Sequence, residues 1–134
     1  KHQETYTDAM NGVAKSLPAL IYAEKIQSRA KRSGFDWPTV QGALDKLREE
    51  TCELEQAIAQ NGSVEDELGD VLFAAVNVSR KLSVDPEGAL VGAAKKFMTR
   101  CAAMERMAGD KLSDLSLTEM EALWQRAKEE TKQA

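Results

Sequence analysis

Residues 40–82, VQGALDKLREETCELEQAIAQNGSVEDELGDVLFAAVNVSRKL, decide the reading of this chain. Val40, Leu44, Leu47, Leu54 and Ile58 recur at helical spacing, and Val64, Leu68, Val71, Leu72, Phe73, Ala74, Ala75, Val76 and Val78 leave little of a second helix polar. Asn61-Gly62 ends the first segment and Ser63 opens the second, so the break forces an immediate reversal and an antiparallel pair. Each segment carries two carboxylates three residues apart, Glu50 with Glu53 and Glu67 with Asp70. A step of three residues turns a helix by only about 60°, so each pair aims its oxygens into one volume. Counted from the turn, Glu53 and Glu67 lie at comparable distances, and Glu50 and Asp70 more roughly so.

Acidic residues at such spacing usually mark a solvated helix face. Their position relative to the apolar stripe argues otherwise. Glu50 falls beside the stripe while Glu49 falls nearly opposite, and Glu53 shares a flank with Lys46 where Ala43 and Ala57 keep the surface small. Glu67, Asp70 and Asn77 are polar groups on a helix that otherwise seeks a core. Carboxylates drawn out of water need partners or a cation, and an all-oxygen donor set suits Mg²⁺, with Mn²⁺ as the alternative.

Outward from this hairpin the chain reads as all helix. Ser16 and Pro18 open a helix to about Arg32 that Gly34 stops, and Phe35 to Pro38 form a loop. The second and third helices run from about Thr39 to Gln60 and from Ser63 to about Leu82. Asp85-Pro86 opens a fourth, with a stripe of Leu90, Ala94, Phe97, Cys101 and Met104, ending near Gly109. Thr118 with Glu121 reads as the capping box of a last helix carrying Met120, Leu123, Trp124 and Ala127. We expect an N-terminal extension or linker over 1–15 and one domain over 16–132. The third helix has more apolar surface than the helices of one chain cover.

The ordered blocks resemble the MazG-type nucleoside triphosphate pyrophosphohydrolases, especially the C-terminal domain of two-domain members. The resemblance rests on Glu49-Glu50-x-x-Glu53, then Glu67-x-x-Asp70 within Asp66 to Phe73, then Asn77. It extends to Leu17-Pro18-Ala19-Leu20, Lys25-Ile26-Gln27, Gly34-Phe35-Asp36-Trp37, Lys96-Phe97-x-x-Arg100 and Trp124-Gln125-x-x-Lys128. It implies an all-α antiparallel bundle completed by dimerisation, with the active site near the protomer interface. It also implies metal-dependent hydrolysis of nucleoside triphosphates at the α-β bond, to a monophosphate and pyrophosphate, with broad tolerance of ribo- and deoxyribonucleotides. Glu50, Glu53, Glu67 and Asp70 are then the catalytic and metal-binding residues, and one of them orients or deprotonates the attacking water.

Four carboxylates repel a triphosphate unless cations accompany them. Lys46, one turn before Glu50, and Lys96 with Arg100 supply a point charge and a planar fork suited to phosphate oxygens. Asn77, Trp124 and Lys128 complete the expected substrate contacts. Trp124 taken alone reads as core packing.

Composition excludes several classes. The 134 residues carry a net charge of −4 with 43% apolar residues, which argues against a basic nucleic-acid footprint and suits an ordinary globular chain. No apolar run reaches the length of a membrane span, and no signal-peptide pattern opens the chain, so a cytoplasmic protein is expected. Cys52 and Cys101 have neither disulfide nor zinc spacing and read as core or near-core. His2 is the one histidine, which removes a ferritin-like Glu-x-x-His site. The remaining rival is a nucleotide-binding or dimerisation module of the same fold with weak turnover.

Overall fold

The computed structural model describes residues 5–32 and 34–132; His2 lies outside them. Among the described residues there are six α-helices, a 3₁₀ turn and no strand. The helices are α1 (Tyr6–Asn11), α2 (Ala19–Arg32), α3 (Val40–Ala59), α4 (Val64–Lys81), α5 (Pro86–Ala108) and α6 (Leu117–Thr131), with the 3₁₀ turn Gly109–Asp114 before α6. The chain divides into two compact units, Lys1–Gly88 and Ala89–Ala134.

In the first unit α3 and α4 pack along their lengths, α2 packs on α4, and α1 packs on α2. Three helices end by the same device. After α2, Gly34 takes φ 97° while Phe35 N–H reaches the Ala30 carbonyl and Gly34 N–H that of Lys31, the Schellman arrangement. After α3, Asn61 takes φ 53° and Gly62 N–H donates to the Ala57 carbonyl at 2.8 Å. After α4, Ser83 takes φ 59°, with Val84 N–H on the Ser79 carbonyl. The reversal at Asn61-Gly62 returns α4 along α3.

Several expectations are corrected. The stretch expected as an extension holds α1, whose capping box pairs Thr5 and Asp8; Ala9 and Val13 are buried and Arg29 donates to the Ala9 carbonyl. Ser63 opens α4 without a side-chain cap, because the tight Asn61-Gly62 turn already fixes the entry and the Ser63 carbonyl takes Glu67 N–H. Helix α4 is apolar nearly all round, yet Leu68, Leu72 and Phe73 remain about half exposed. One chain supplies neighbours for only part of its circumference. Cys52 is exposed rather than near-core, since it lies away from the α4 side of α3.

In the second unit Ala103, Met104 and Ala127 form a small core with Met107, Leu112, Met120, Leu123 and Trp124 against it. The expected α5 stripe is therefore buried only in its C-terminal half; Leu90 and Phe97 are more than half exposed. Ser116 and Glu119 form the α6 capping box, not Thr118 and Glu121. Ser-Leu-Thr-Glu and Thr-Glu-Met-Glu overlap and both satisfy the pattern, and the earlier one admits Leu117 and Thr118 to the helix.

Candidate metal centre

The α3–α4 hairpin brings Glu50, Glu67 and Asp70 together, each offering one carboxylate oxygen within 4.8 Å of the others. Glu50 is buried at 7% exposure, Glu67 and Glu53 are half-buried, and Asp70 is exposed. The expectation that Asp70 is drawn into a core is corrected: it sits at the open end of the cluster. Glu49 is exposed, as its place on the wheel requires.

Lys46 Nζ lies 3.1 Å from Glu50 Oε1 and 3.5 Å from Glu49 Oε1. Its hydrogen bond to Glu50 raises its pKa against the opposing pull of burial, so it stays a cation. That one ammonium does not satisfy the group. Glu50 Oε2 and Glu67 Oε2 are buried and have no hydrogen-bond partner among the described residues. Burial, then the charges of Asp70, Glu50 and Asp66, push the Glu67 carboxyl above its ordinary range. Glu53 is raised first by the hydrogen bond it shares with Glu50 when protonated, then by the Glu50 charge.

Two buried oxygens without donors, in a set of three converging carboxylates, fit a hard divalent cation. Oxygens sharing one Mg²⁺ stand about 3 to 4 Å apart, so the observed spacing needs only a small closure. Glu50, Glu67 and Asp70 would hold the ion, with Glu53 beside Glu50.

Asn77, two turns beyond Asp70 on α4, is buried at 4% exposure, and sequence reasoning placed it in the site without saying what orients it. Arg80 donates through Nε at 3.2 Å and through Nη2 at 2.6 Å to Asn77 Oδ1. Because the guanidinium occupies the amide oxygen, the Asn77 NH₂ is the end left to meet a ligand. Arg80 also pairs with Asp36, whose other oxygen takes Lys81 Nζ at 3.1 Å. Burial raises the Asp36 carboxyl, but hydrogen bonds and charges from Arg80 and Lys81 outweigh it and hold the group below its ordinary range. The Asn77-x-x-Arg80 spacing was a local signal for this pairing; Asp36, 44 residues from Arg80, had none.

A cavity of about 170 Å³ is lined by Lys46, Glu50, Asp70, Trp37, Phe73 and Asn77, so the acidic cluster opens onto the Trp37 loop. The other predicted contacts lie in the second unit. Trp124 stacks at a tilt on Phe97, ring centroids 5.4 Å apart, and the Arg100 guanidinium carbon stands 5.5 Å over the Trp124 ring. Arg100 Nε is buried without a hydrogen-bond partner among the described residues, while Lys96 and Lys128 are exposed.

Comparison with known proteins places this geometry. Residues 39–104, which span α3, α4 and most of α5, match the family model described as the MazG nucleotide pyrophosphohydrolase domain. The chain carries a MazG domain. The nucleoside triphosphate pyrophosphohydrolase of Escherichia coli K12 is 38% identical over 133 residues, covering 94% of this chain and 51% of that protein. The nucleoside triphosphate pyrophosphohydrolase/pyrophosphatase MazG of Thermotoga maritima is 41% identical over 115 residues, 84% of this chain and 45% of that protein. The uncharacterized protein YabN of Bacillus subtilis is 46% identical over 66 residues, 47% of this chain and 14% of that protein. The chain thus spans about half the length of the first two relatives. No helix of the MazG domain or its flanks, among the described residues, is long and apolar enough to cross a membrane.

Proposed function

We propose that the chain hydrolyses nucleoside triphosphates between the α and β phosphates, giving a nucleoside monophosphate and pyrophosphate, with Mg²⁺ or Mn²⁺ held by Glu50, Glu67 and Asp70 beside Glu53. One observation carries the reading: carboxylates converge on α3 and α4 with two buried oxygens that have no hydrogen-bond partner among the described residues. The names printed for the Escherichia coli and Thermotoga maritima relatives support the reaction class. When bound, the dication neutralises phosphate oxygens and stabilises charge on the leaving pyrophosphate.

The chain's own groups do the rest. Lys46, kept protonated by Glu50, adds a positive charge at the mouth of the small cavity, where a phosphate oxygen meets it. Asn77 lines the same cavity, and with its oxygen bound by Arg80 its NH₂ is the group that would meet the substrate. One of the four carboxylates orients the attacking water or takes its proton. Lys96, Arg100 and Lys128 are proposed as further phosphate contacts, with Trp124 holding Arg100 through the cation-π contact. A homodimer belongs to the same proposal, supported by the half-exposed Leu68, Leu72 and Phe73 of α4. So does a cytoplasmic setting, where the two free cysteines suit reducing conditions.

Product analysis tests this directly. The chain is incubated with a panel of ribo- and deoxyribonucleoside triphosphates, with Mg²⁺ and with a chelator. Monophosphate and pyrophosphate appearing only with metal support the reading. Diphosphate and phosphate contradict the bond choice, and absence of turnover with retained nucleotide binding moves the domain to a binding module.

A further inference from the structure

The two oxygens of Glu50 are not equivalent. Oε1 stands 3.1 Å from the Lys46 ammonium, while Oε2 is buried without a hydrogen-bond partner among the described residues. A lysine and a glutamate four apart on a helix pair readily, and on an exposed face such a pair restrains neither side chain. Here the Glu50 side chain is only 10% exposed, and Ala43, Asp70, Phe73 and Ala74 line the same small cavity. The carboxylate has little room to turn, so the oxygen that meets Lys46 and the oxygen left for a cation are distinct. The ammonium is in turn held from the solvent side by Glu49 Oε1, 3.5 Å away. Two of its three N–H groups thus have carboxylate acceptors on α3, and the third remains for a phosphate oxygen.

A carboxylate with one oxygen tied to an ammonium ligates a cation through the other. Divalent ions differ in how well that suits them. Mg²⁺ demands near-octahedral geometry and keeps places for water or phosphate oxygens, whereas Ca²⁺ is larger, takes about 6 to 8 oxygens and accepts carboxylates bidentately. Single oxygens from Glu50, Glu67 and Asp70 leave about three octahedral positions open for water and a triphosphate. The same three oxygens underfill the shell of Ca²⁺, and a bidentate Glu50 is the nearest remedy. Lys46 stands in the way of that remedy.

We propose that Lys46 is a positioning residue of the metal centre: by occupying Glu50 Oε1 it confines Glu50 to ligation through Oε2, and so makes the site prefer Mg²⁺ to Ca²⁺. The proposal rests on the metal reading above and sharpens it, since the choice of ion is assigned to a residue that is not a ligand. Glu49, which periodicity leaves in solvent, acquires the task of retaining the ammonium at its post.

Metal binding in the absence of nucleotide tests the proposal, so turnover is not needed. Mn²⁺ is titrated by electron paramagnetic resonance, with Mg²⁺ and Ca²⁺ each added as competitor, in the wild-type chain and in Lys46→Met, Lys46→Gln and Lys46→Arg. Loss of the ammonium removes a positive charge and tightens every dication, so the ratio of Ca²⁺ to Mg²⁺ affinity is the quantity that reports the geometry. We expect this ratio to rise about tenfold in both neutral variants, the scale on which removing a group that orients a metal ligand alters binding. It should stay near the wild-type value in Lys46→Arg, whose guanidinium keeps a charge and donors on Glu50. Either neutral variant suffices if the other lacks a cooperative melt with Mn²⁺ present, and if both lack it the wild-type preference decides. A wild-type site that takes Ca²⁺ more tightly than Mg²⁺ overturns the proposal. So does a ratio unchanged in the neutral variants, or one that rises as far in Lys46→Arg; each of these leaves the metal reading standing. Absence of saturable Mn²⁺ binding in the wild type removes that reading and the proposal together.

Discussion

Helix α4 carries two clusters of charge that end in opposite conditions. Toward its start, Glu67 and Asp70 face Glu50 with one lysine among them, and burial and like charge push the Glu67 and Glu53 carboxyls upward. Toward its end, Asp36 sits between Arg80 and Lys81 and is held below its ordinary range despite its burial. The second cluster is satisfied within the chain: its one carboxylate meets two cations, and its work is to lock the 34–38 loop onto α4 and to orient Asn77. The first is incomplete by at least one positive charge. A protein that satisfies one half-buried carboxylate with two cations has no difficulty pairing acids, so the unpaired set is best explained by a cation that comes from outside.

The largest effect expected from breaking this contrast is on turnover. Glu50→Ala or Asp70→Ala should lower metal-dependent triphosphate hydrolysis by at least about a hundredfold while the circular dichroism spectrum and cooperative melt are retained. Equal loss of fold and activity would place the acids with the structural cluster instead. The converse substitution, Asp36→Ala, leaves Arg80 and Lys81 half-buried without a counter-charge and should cost about 2 kcal/mol in denaturant unfolding, with Mg²⁺ affinity nearly unchanged.

The two clusters also respond oppositely to pH. Raised folded-state carboxyls stabilise below the unfolded value, and that stability is lost as pH rises through the folded one; Glu53 and Glu67 are raised from 4.5. Asp36 is lowered from 3.8, and Glu119, through the backbone and side-chain hydrogen bonds of Ser116, from 4.5. Their contributions are complete above those values and lost only on further acidification. The metal-free melting temperature should therefore fall as pH is raised above about 4.5, and Mg²⁺ should flatten that slope by binding the ionised cluster. A slope unaffected by Mg²⁺ would mean that the ion binds elsewhere.

How much of this could be read from the sequence depends on the range of the interaction. The Asn61-Gly62 reversal, the burial of Glu50 against the exposure of Glu49, and the approach of Glu67 and Asp70 to Glu50 all follow from helical periodicity around one tight turn. The Asp36 clamp did not follow, because its partners stand more than forty residues away and nothing local marks an aspartate before Trp37-Pro38 as charge-paired. Gln27 was legible only as part of a resemblance; that one end of its amide is used and the other free depends on where Phe73 presents its carbonyl. The α5 stripe misled for the opposite reason: periodicity says which residues share a face, not whether the chain covers it. Helix α1 was passed over because six residues carry too little periodicity, although Thr5-x-x-Asp8 is a capping signal.

The smallest predicted effect lies outside both clusters. Ser83 holds a left-handed conformation at the end of α4, so Ser83→Gly should stabilise the chain by about 0.5 to 1 kcal/mol in denaturant unfolding, without altering turnover or metal affinity.

Mn²⁺ titration followed by electron paramagnetic resonance tests the incomplete cluster most directly. Saturable binding that weakens sharply in Glu50→Gln and in Asp70→Asn, but persists in Asp36→Asn, is the predicted result. Binding insensitive to Glu50 and Asp70, or lost on altering Asp36, would contradict the account.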